Sequence, residues 1–169
     1  MPEEGVTALV VPVPEVDPLL AAVAARFPDA VRPLPAHVTL LYPFVPVDDQ
    51  VVADLAEVFA GRPPLRVEFA ECRRAGGFAA LLPDPADGLS ALIGELRRRW
   101  PDVLPYGGRF GTEVDAHVTV ALNTAEQVAE AVEREIVPRF APIRAELREV
   151  WLLVFRGGWQ VHRRFELTG

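Results

Sequence analysis

Two stretches of this chain repeat each other, and that repeat limits the fold before any single element is read. His37-Val38-Thr39, in "HVTLLYPF", recurs 80 positions later as His117-Val118-Thr119, in "HVTVALN". Pro64–Cys72, "PLRVEFAEC", matches Pro142–Val150, "PIRAELREV", with Pro, Arg, Glu and Glu in the same places at an offset of 78. A gap of two residues reconciles the offsets, and a Gly-Gly pair follows each match, at 76–77 and 157–158. The order His strand, helix, matched strand, Gly-Gly, last strand therefore occurs twice. Self-similarity of this kind marks duplicated units of about 80 residues.

The elements around the repeat read as a mixed chain. The β-branched run Val6–Val13 ends at prolines and predicts a strand. "DPLLAAVAARF" predicts a helix with Asp17 as N-cap and Pro18 in the first turn. "LPAHVTLLYPFVP" is a strand bounded by prolines. "DDQVVADLAEVFAG" is a helix capped by Asp48 or Asp49 and stopped at Gly61. "LRVEFAECRR" and "GFAALLP" flank Gly76-Gly77 as a hairpin. "PDPADG", residues 83–88, is turn chemistry and the best boundary between two lobes, about 1–83 and 88–169. A helix, "LSALIGELRRRW", follows, then a Gly- and Pro-rich loop over residues 101–113. After the second His strand, "TAEQVAEAVEREIVPRF" predicts one helix opened by a capping box of Thr124 and Gln127. "IRAELREVWLLVF" and "WQVHRRFEL" predict the last two strands.

Composition narrows the function. The chain has 169 residues, half of them apolar, enough for one domain with a sizeable core. All 17 basic residues are arginine, and the formal net charge is −7. That balance argues against coating a nucleic-acid backbone, which needs an excess of cations. A short phosphate ligand in a local pocket fits it. One cysteine, Cys72, allows neither an intrachain disulfide nor a cysteine metal cluster. "MPEEG" lacks the basic start of a signal peptide, and no apolar run approaches the roughly 18 residues that span a bilayer. A soluble, cytoplasmic monomer is expected, with no membrane partner.

Strand alternation sets the candidate site. His37 and Thr39 share one face of their strand while Val38 and Leu40 share the other, and His117 and Thr119 repeat the arrangement. A twofold relation between the units would set the two imidazoles across one groove. Two imidazoles and two hydroxyls suit phosphodiester chemistry. A histidine can take a proton from water or give one to a departing oxygen. Threonine hydroxyls can steady charge on non-bridging oxygens.

The paired motifs "HVTL" and "HVTV" resemble the signature of the 2H phosphoesterase superfamily, and "HVTLLYPF" looks most like its bacterial 2′-5′ RNA ligase branch. The resemblance covers essentially the whole chain. It implies an α+β fold, bilobal and built from duplicated β-α-β-α-β units with antiparallel sheets around a central cleft. It implies a phosphodiesterase that needs no metal or other cofactor and acts on 2′,3′-cyclic phosphate ends or 2′-5′ linkages of small nucleotides or RNA termini. By that resemblance His37 and His117 are the acid–base pair, and Thr39 and Thr119 hold phosphate. Ala36 and Ala116 stand before the histidines where members often carry Pro or Arg. The same chemistry on a non-RNA metabolite or cyclic dinucleotide stays open, as does a module that binds a phosphoryl ligand without turnover.

Tyr42, Phe78 and Arg109 are further candidates for substrate contact. Tyr42 lies three residues after Thr39, on the opposite face of an ideal strand unless the strand twists. His162 has no Thr two residues later and no repeat partner, and reads as structural or surface. Asp115 could orient His117 but reads first as a solvated turn residue. Ser90 lacks a nucleophile elbow, and Gly107-Gly108 lacks the spacing and lysine of a phosphate loop.

Overall fold

Val38 and Val118, the middle residues of the repeated tripeptides, stand directly opposite each other on adjacent antiparallel strands, both fully buried. The second repeat pairs with itself in the same way, because Val67 faces Ala145, its equivalent at the offset of 78. A pseudo-twofold axis therefore runs through both pairings. The computed structural model describes residues 2–111 and 114–169, so the last two residues of the expected 101–113 loop lie outside the described ones.

Among the described residues, eight strands form one curled sheet in the order β6-β3-β4-β5-β2-β1-β7-β8. The strands are β1 (Thr7–Pro12), β2 (His37–Leu41), β3 (Leu65–Ala75), β4 (Phe78–Asp84), β5 (Val118–Ala121), β6 (Ile143–Leu147), β7 (Glu149–Phe155) and β8 (Trp159–Glu166). Neighbouring strands run antiparallel throughout the sheet. The halves of the chain interleave: β6 borders β3 at one end, and β7 with β8 borders β1 at the other. The chain is α+β with antiparallel strands curled about a cleft, as its sequence leads one to expect.

Four helices among the described residues, α1 (Asp17–Arg26), α2 (Asp49–Phe59), α3 (Asp87–Arg99) and α4 (Glu126–Ala131), bring their apolar side chains into one core with the strands. Leu19, Val23, Leu55, Phe59, Leu89, Leu92 and Leu96 from the helices meet Val38, Leu40, Val118 and Val120 from the motif strands there. Each fully buried aliphatic of this kind contributes about 1.5–3 kcal/mol. Packing is reciprocal across the axis, since α1 touches β5 and α3 touches β2. No helix among the described residues is long and apolar enough to cross a membrane.

Four local expectations need correction. "IRAELREVWLLVF" is two strands, β6 and β7, because β6 pairs with β3 whereas β7 pairs with β1 and β8. Asp17 opens α1 as its first residue, with Val16 as the cap, and its carboxylate instead accepts from the Ala36 N–H at 2.8 Å. The capping box of Thr124 and Gln127 does not form: Ala125 is the cap, and the Thr124 N–H is given to Gly77 O. The helix expected to run unbroken after it is α-helical only to Ala131 and passes through a π turn, Val132–Ile136, and a 3₁₀ turn, Val137–Arg139. Asp48 caps α2 as expected, accepting from the Val51 N–H at 2.7 Å.

Both Gly-Gly pairs form hairpins, with positive φ at Gly76 and Gly157. Their second glycines differ. A β-carbon on Gly77 would be driven into the Thr124 carbonyl oxygen, whereas one on Gly158 meets nothing within 4 Å. Gly77→Ala is therefore expected to destabilise the fold by about 1–3 kcal/mol through overpacking against backbone. Gly158→Ala, at the equivalent place in the other unit, should stay within about 0.5 kcal/mol of the parent. Urea unfolding of the two variants checks the contrast, and equal effects would contradict it.

Candidate active site

Ala36–Leu40 and Ala116–Val120 have the same burial pattern, with each His and Thr half-buried between buried neighbours. The apolar members lock the strands into the core and leave His37, Thr39, His117 and Thr119 together on the other face. Both imidazoles are held by the backbone two residues upstream. His37 Nδ1 lies 2.8 Å from Pro35 O, and His117 Nδ1 lies 2.7 Å from Asp115 O. A carbonyl can only accept, so each Nδ1 carries the proton and each Nε2 is left for chemistry. Asp115 thus orients His117 through its main chain, while its carboxylate pairs with Arg73 at 3.1 Å.

The register determines who faces whom. With Val38 opposite Val118, His37 falls opposite Thr119 and Thr39 opposite His117. Each histidine is thereby beside the threonine of the other motif. Side chains directly opposite on antiparallel strands are roughly 4.5–5.5 Å apart at Cβ, and the diagonal His37–His117 pair roughly 7–8 Å. His37 is held below the usual histidine range first by burial and further by His117, against the hydrogen bond to Pro35. His117 also meets Phe78 edge to face, with ring centroids 5.7 Å apart. Phe78 therefore stands in the site, against the imidazole itself.

Tyr42 stands on the same side as Thr39, and a bulge explains how. β1 pairs Leu9 with Leu41 but Val10 with Thr39, so Leu40 is an extra residue in β2. Leu40 and Leu41 both enter the core, and the alternation resumes with Tyr42 turned towards the cleft. The second motif repeats the device, since Ala79 pairs with Ala121 and Ala80 with Thr119, leaving Val120 as the extra residue. Tyr42 packs on the small cluster of Ala8, Val10 and Leu153, with Trp151 and Trp159 beside it. Its ring is 5.8 Å from that of Trp159. Arg109, the third candidate contact, is exposed and lies over the Phe110 ring at 5.6 Å, so the structure sets it on a loop neighbour rather than on a motif residue.

Four residues that escaped the sequence reading belong to this site. Asp17 anchors the peptide N–H next to His37. Tyr106, in the short turn Pro105–Gly108, gives its N–H to Tyr42 O, and its ring lies 6.3 Å from that of Tyr42. Its backbone is left-handed, at φ 53° and ψ 33°, which costs a non-glycine residue about 1–2 kcal/mol. Arg73 and Trp151 hold equivalent places on either side of the axis. The row Thr119, Ala80, Arg73 mirrors the row Thr39, Val10, Trp151. One flank of the cleft thus presents a guanidinium and the other an indole, itself capped by Arg164 at 5.1 Å. The tyrosine beside glycines in "YGG" was the one visible signal for Tyr106, and the offset of 78 the one for Trp151 and Arg73 as a pair.

Two fixed Nε2 atoms and two hydroxyls on one face can serve a tetrahedral oxyanion centre, with proton acceptor and donor on either side. No group of three or more His, Cys, Asp or Glu among the described residues is placed to hold a metal ion.

The fold has close counterparts among solved structures. E. coli LigT complexed with 3′-AMP aligns at TM-score 0.64 and 19% identity, over 99% of this chain and 100% of that one. E. coli LigT complexed with ATP aligns at 0.63 and 18%, over the same shares. TT0787 of Thermus thermophilus aligns at 0.61 and 16%, over 97% of this chain and 98% of that one. Comparison with curated protein sequences gives no match. The model of the 2′-5′ RNA ligase superfamily matches residues 12–159, a span that holds both His-Val-Thr motifs, and the chain belongs to that superfamily, with a 2H phosphoesterase-type activity.

Proposed function

We propose that this protein hydrolyses 2′,3′-cyclic phosphate ends or 2′-5′ linkages of small nucleotides or RNA termini, using His37 and His117 as base and acid. The observation that carries the reading is the cross-strand register that sets each histidine beside the other motif's threonine around one space. Support for a nucleotide comes from E. coli LigT, which shares the fold and is complexed with 3′-AMP. A 3′-phosphomonoester is one product of opening a 2′,3′-cyclic phosphate. The aromatic flank of Tyr42, Trp151 and Trp159 suits the nucleoside.

In the cyclic-phosphate reaction, His37 Nε2 takes a proton from water as its oxygen bonds to phosphorus. The bond from phosphorus to one ribose oxygen breaks, and His117 Nε2–H protonates that oxygen. Water is consumed, a phosphomonoester and a free hydroxyl result, and a proton exchange restores both imidazoles. Thr39 and Thr119 donate to the non-bridging oxygens, where charge grows in the transition state. His37 takes the role of base because burial and its neighbour favour its neutral form.

The test is a panel of 2′,3′-cyclic nucleotides, 2′-5′ dinucleotides and cyclic dinucleotides, assayed with a chelator present. Turnover of the first two classes is expected, and turnover confined to cyclic dinucleotides would move the substrate class. His37→Ala and His117→Ala should each cost about 10²–10⁴ in kcat/KM. His37 must be neutral to accept a proton, so a lowered pKa keeps the enzyme active further into acid. The acid limb of kcat/KM against pH should have its midpoint below about 6.5, and His37→Ala should abolish that limb. A limb that survives in the variant would reassign the base.

The threonines are tested by Thr39→Val and Thr119→Val, which keep the β-branched shape and remove a hydroxyl. Each should lower kcat by about 10–10³-fold, the scale of one lost donor in a preorganised site. Thermal melting run alongside separates this loss from unfolding. Wild-type turnover in both variants would make the threonines strand residues only.

A further inference from the structure

We infer that Asp17 is a positioning residue for His37 and acts through one peptide: its carboxylate holds the Ala36 N–H, and the carbonyl of that same peptide, Pro35 O, holds His37 Nδ1. The inference rests on the phosphodiesterase reading above, with His37 as base, and goes beyond it. It gives the imidazole a carboxylate partner that it does not touch, and it makes the two motifs unequal.

The geometry makes a relay of three groups. Asp17 Oδ1 accepts from the Ala36 N–H at 2.8 Å, and Pro35 O accepts from His37 Nδ1 at 2.8 Å. The N–H and C=O of a trans peptide point in opposite directions, so carboxylate and imidazole sit on opposite sides of one rigid plane. The chain before α1 sets Asp17 there. β1 ends with Pro12 opposite His37, the Val13 N–H bonds Ala36 O at 2.8 Å, and the 3₁₀ turn Pro14–Val16 brings the chain round to Asp17. Val16 and Leu19, both fully buried, fix the residue from either side. Ala36 is itself buried, and a hydrogen bond shielded from water is electrostatically stronger.

The chemistry explains a charge at that remove. A base takes its proton at Nε2, and positive charge grows on the imidazole as it does so. A carboxylate on the amide N–H polarises the peptide and pushes negative charge onto Pro35 O, because linked hydrogen bonds strengthen one another. The polarised carbonyl steadies the imidazolium in the transition state. Asp17 keeps its charge throughout, and no proton crosses the peptide. The first turn of a helix, where Asp17 stands, favours such a charge. The other unit is arranged differently. Asp87 opens α3 as Asp17 opens α1 but is exposed, and the carboxylate on the His117 anchor, Asp115, pairs with Arg73 at 3.1 Å. An acid loses positive charge as it gives up its proton, so the same relay behind His117 would slow the step it serves.

Asp17→Asn isolates the claim, since it keeps the shape and an acceptor oxygen for the Ala36 N–H and removes only the charge. On a 2′,3′-cyclic nucleotide, kcat should fall about 3–10-fold with KM little changed, the scale of exchanging a charge-assisted hydrogen bond for a neutral one. In a His37→Ala background the same change should have no further effect, while in Thr119→Val it should multiply in full. Equal multiplication in both backgrounds, or a change in KM alone, would overturn the proposal. Asp17→Ala also strips the buried N–H of its partner and should melt at a lower temperature. A loss of kcat in the alanine variant only, with asparagine like the parent, would make Asp17 a structural support and overturn the proposal too. A readout without substrate separates the inference from the functional reading. The nitrogen-15 signals of the His37 ring should shift in Asp17→Asn, with Nδ1 losing part of its donor character, while those of His117 stay in place. That pattern in a protein lacking turnover on every nucleotide would fail the function and keep the positioning role. His37 signals that do not move would overturn the role whatever the kinetics.

Discussion

The seam between Val38 and Val118 is the contact on which the rest of the structure depends. It joins β2 to β5, and so makes one sheet of the two halves of the strand order. It also fixes the register that places His37 by Thr119 and Thr39 by His117. A slip of one residue would invert one strand against the other, turning one motif's histidine and threonine into the core and its valine into the cleft. Such a slip would bury an imidazole and a hydroxyl where Leu19, Leu55 and Leu89 now pack, without partners to satisfy them. The same apolar contacts that stabilise the fold therefore hold the site in register.

Rigid placement of the imidazoles follows from the backbone rather than from carboxylates. Each ring is fixed by a carbonyl two residues upstream, and on the His37 side the intervening peptide is itself tied down: Ala36 bonds Val13 through its carbonyl and Asp17 through its N–H. A carbonyl orients the ring and selects the tautomer without adding a formal charge beside it. An Asp or Glu in that place would favour the charged imidazole further. The low setting of His37 comes from its burial and from His117, and it prevails over the bond to Pro35, which acts the other way.

Much of this was legible in the sequence, and what was not has physical causes. The repeat named His37, Thr39, His117 and Thr119 because alternation along a strand is local, and four residues suffice to read it. The hairpins at Gly76 and Gly157 were legible because positive φ selects glycine. Side-chain parity beyond the motifs was hidden by the bulges at Leu40 and Val120, which shift the alternation by one residue and move Tyr42 into the cleft. The break between β6 and β7 is a change of partner strand, and one chain's periodicity carries no record of its partners. Asp17 and Thr124 have side chains suited to capping, but the Asp17 carboxylate accepts from a peptide 19 residues away, and Thr124 stands before the cap with its backbone N–H on the hairpin turn. Tyr106 depended on a left-handed turn that propensity would have assigned to the glycines beside it.

Duplication explains the shared backbone, and departures from it explain why the cleft need not work the same in both directions. Across the axis Trp151 stands where Arg73 stands, and Tyr42 where Leu122 stands. These exchanges lie on the cleft side of their strands, whereas core positions keep their character, as Val38 with Val118 and Leu40 with Val120. Core residues are constrained by packing that both units share, because any change of volume there is felt across the seam. In the proposed reaction the ligand has two unlike ends, and a symmetric site would hold it equally well in either orientation. One flank is aromatic, with Arg164 over the Trp151 indole, and the other carries Arg73 paired with Asp115. On the proposed reading that difference orders the substrate along the row of threonines and histidines, and its orientation decides which imidazole faces the attacking water. The division of labour we propose for two like motifs then comes from the residues around them.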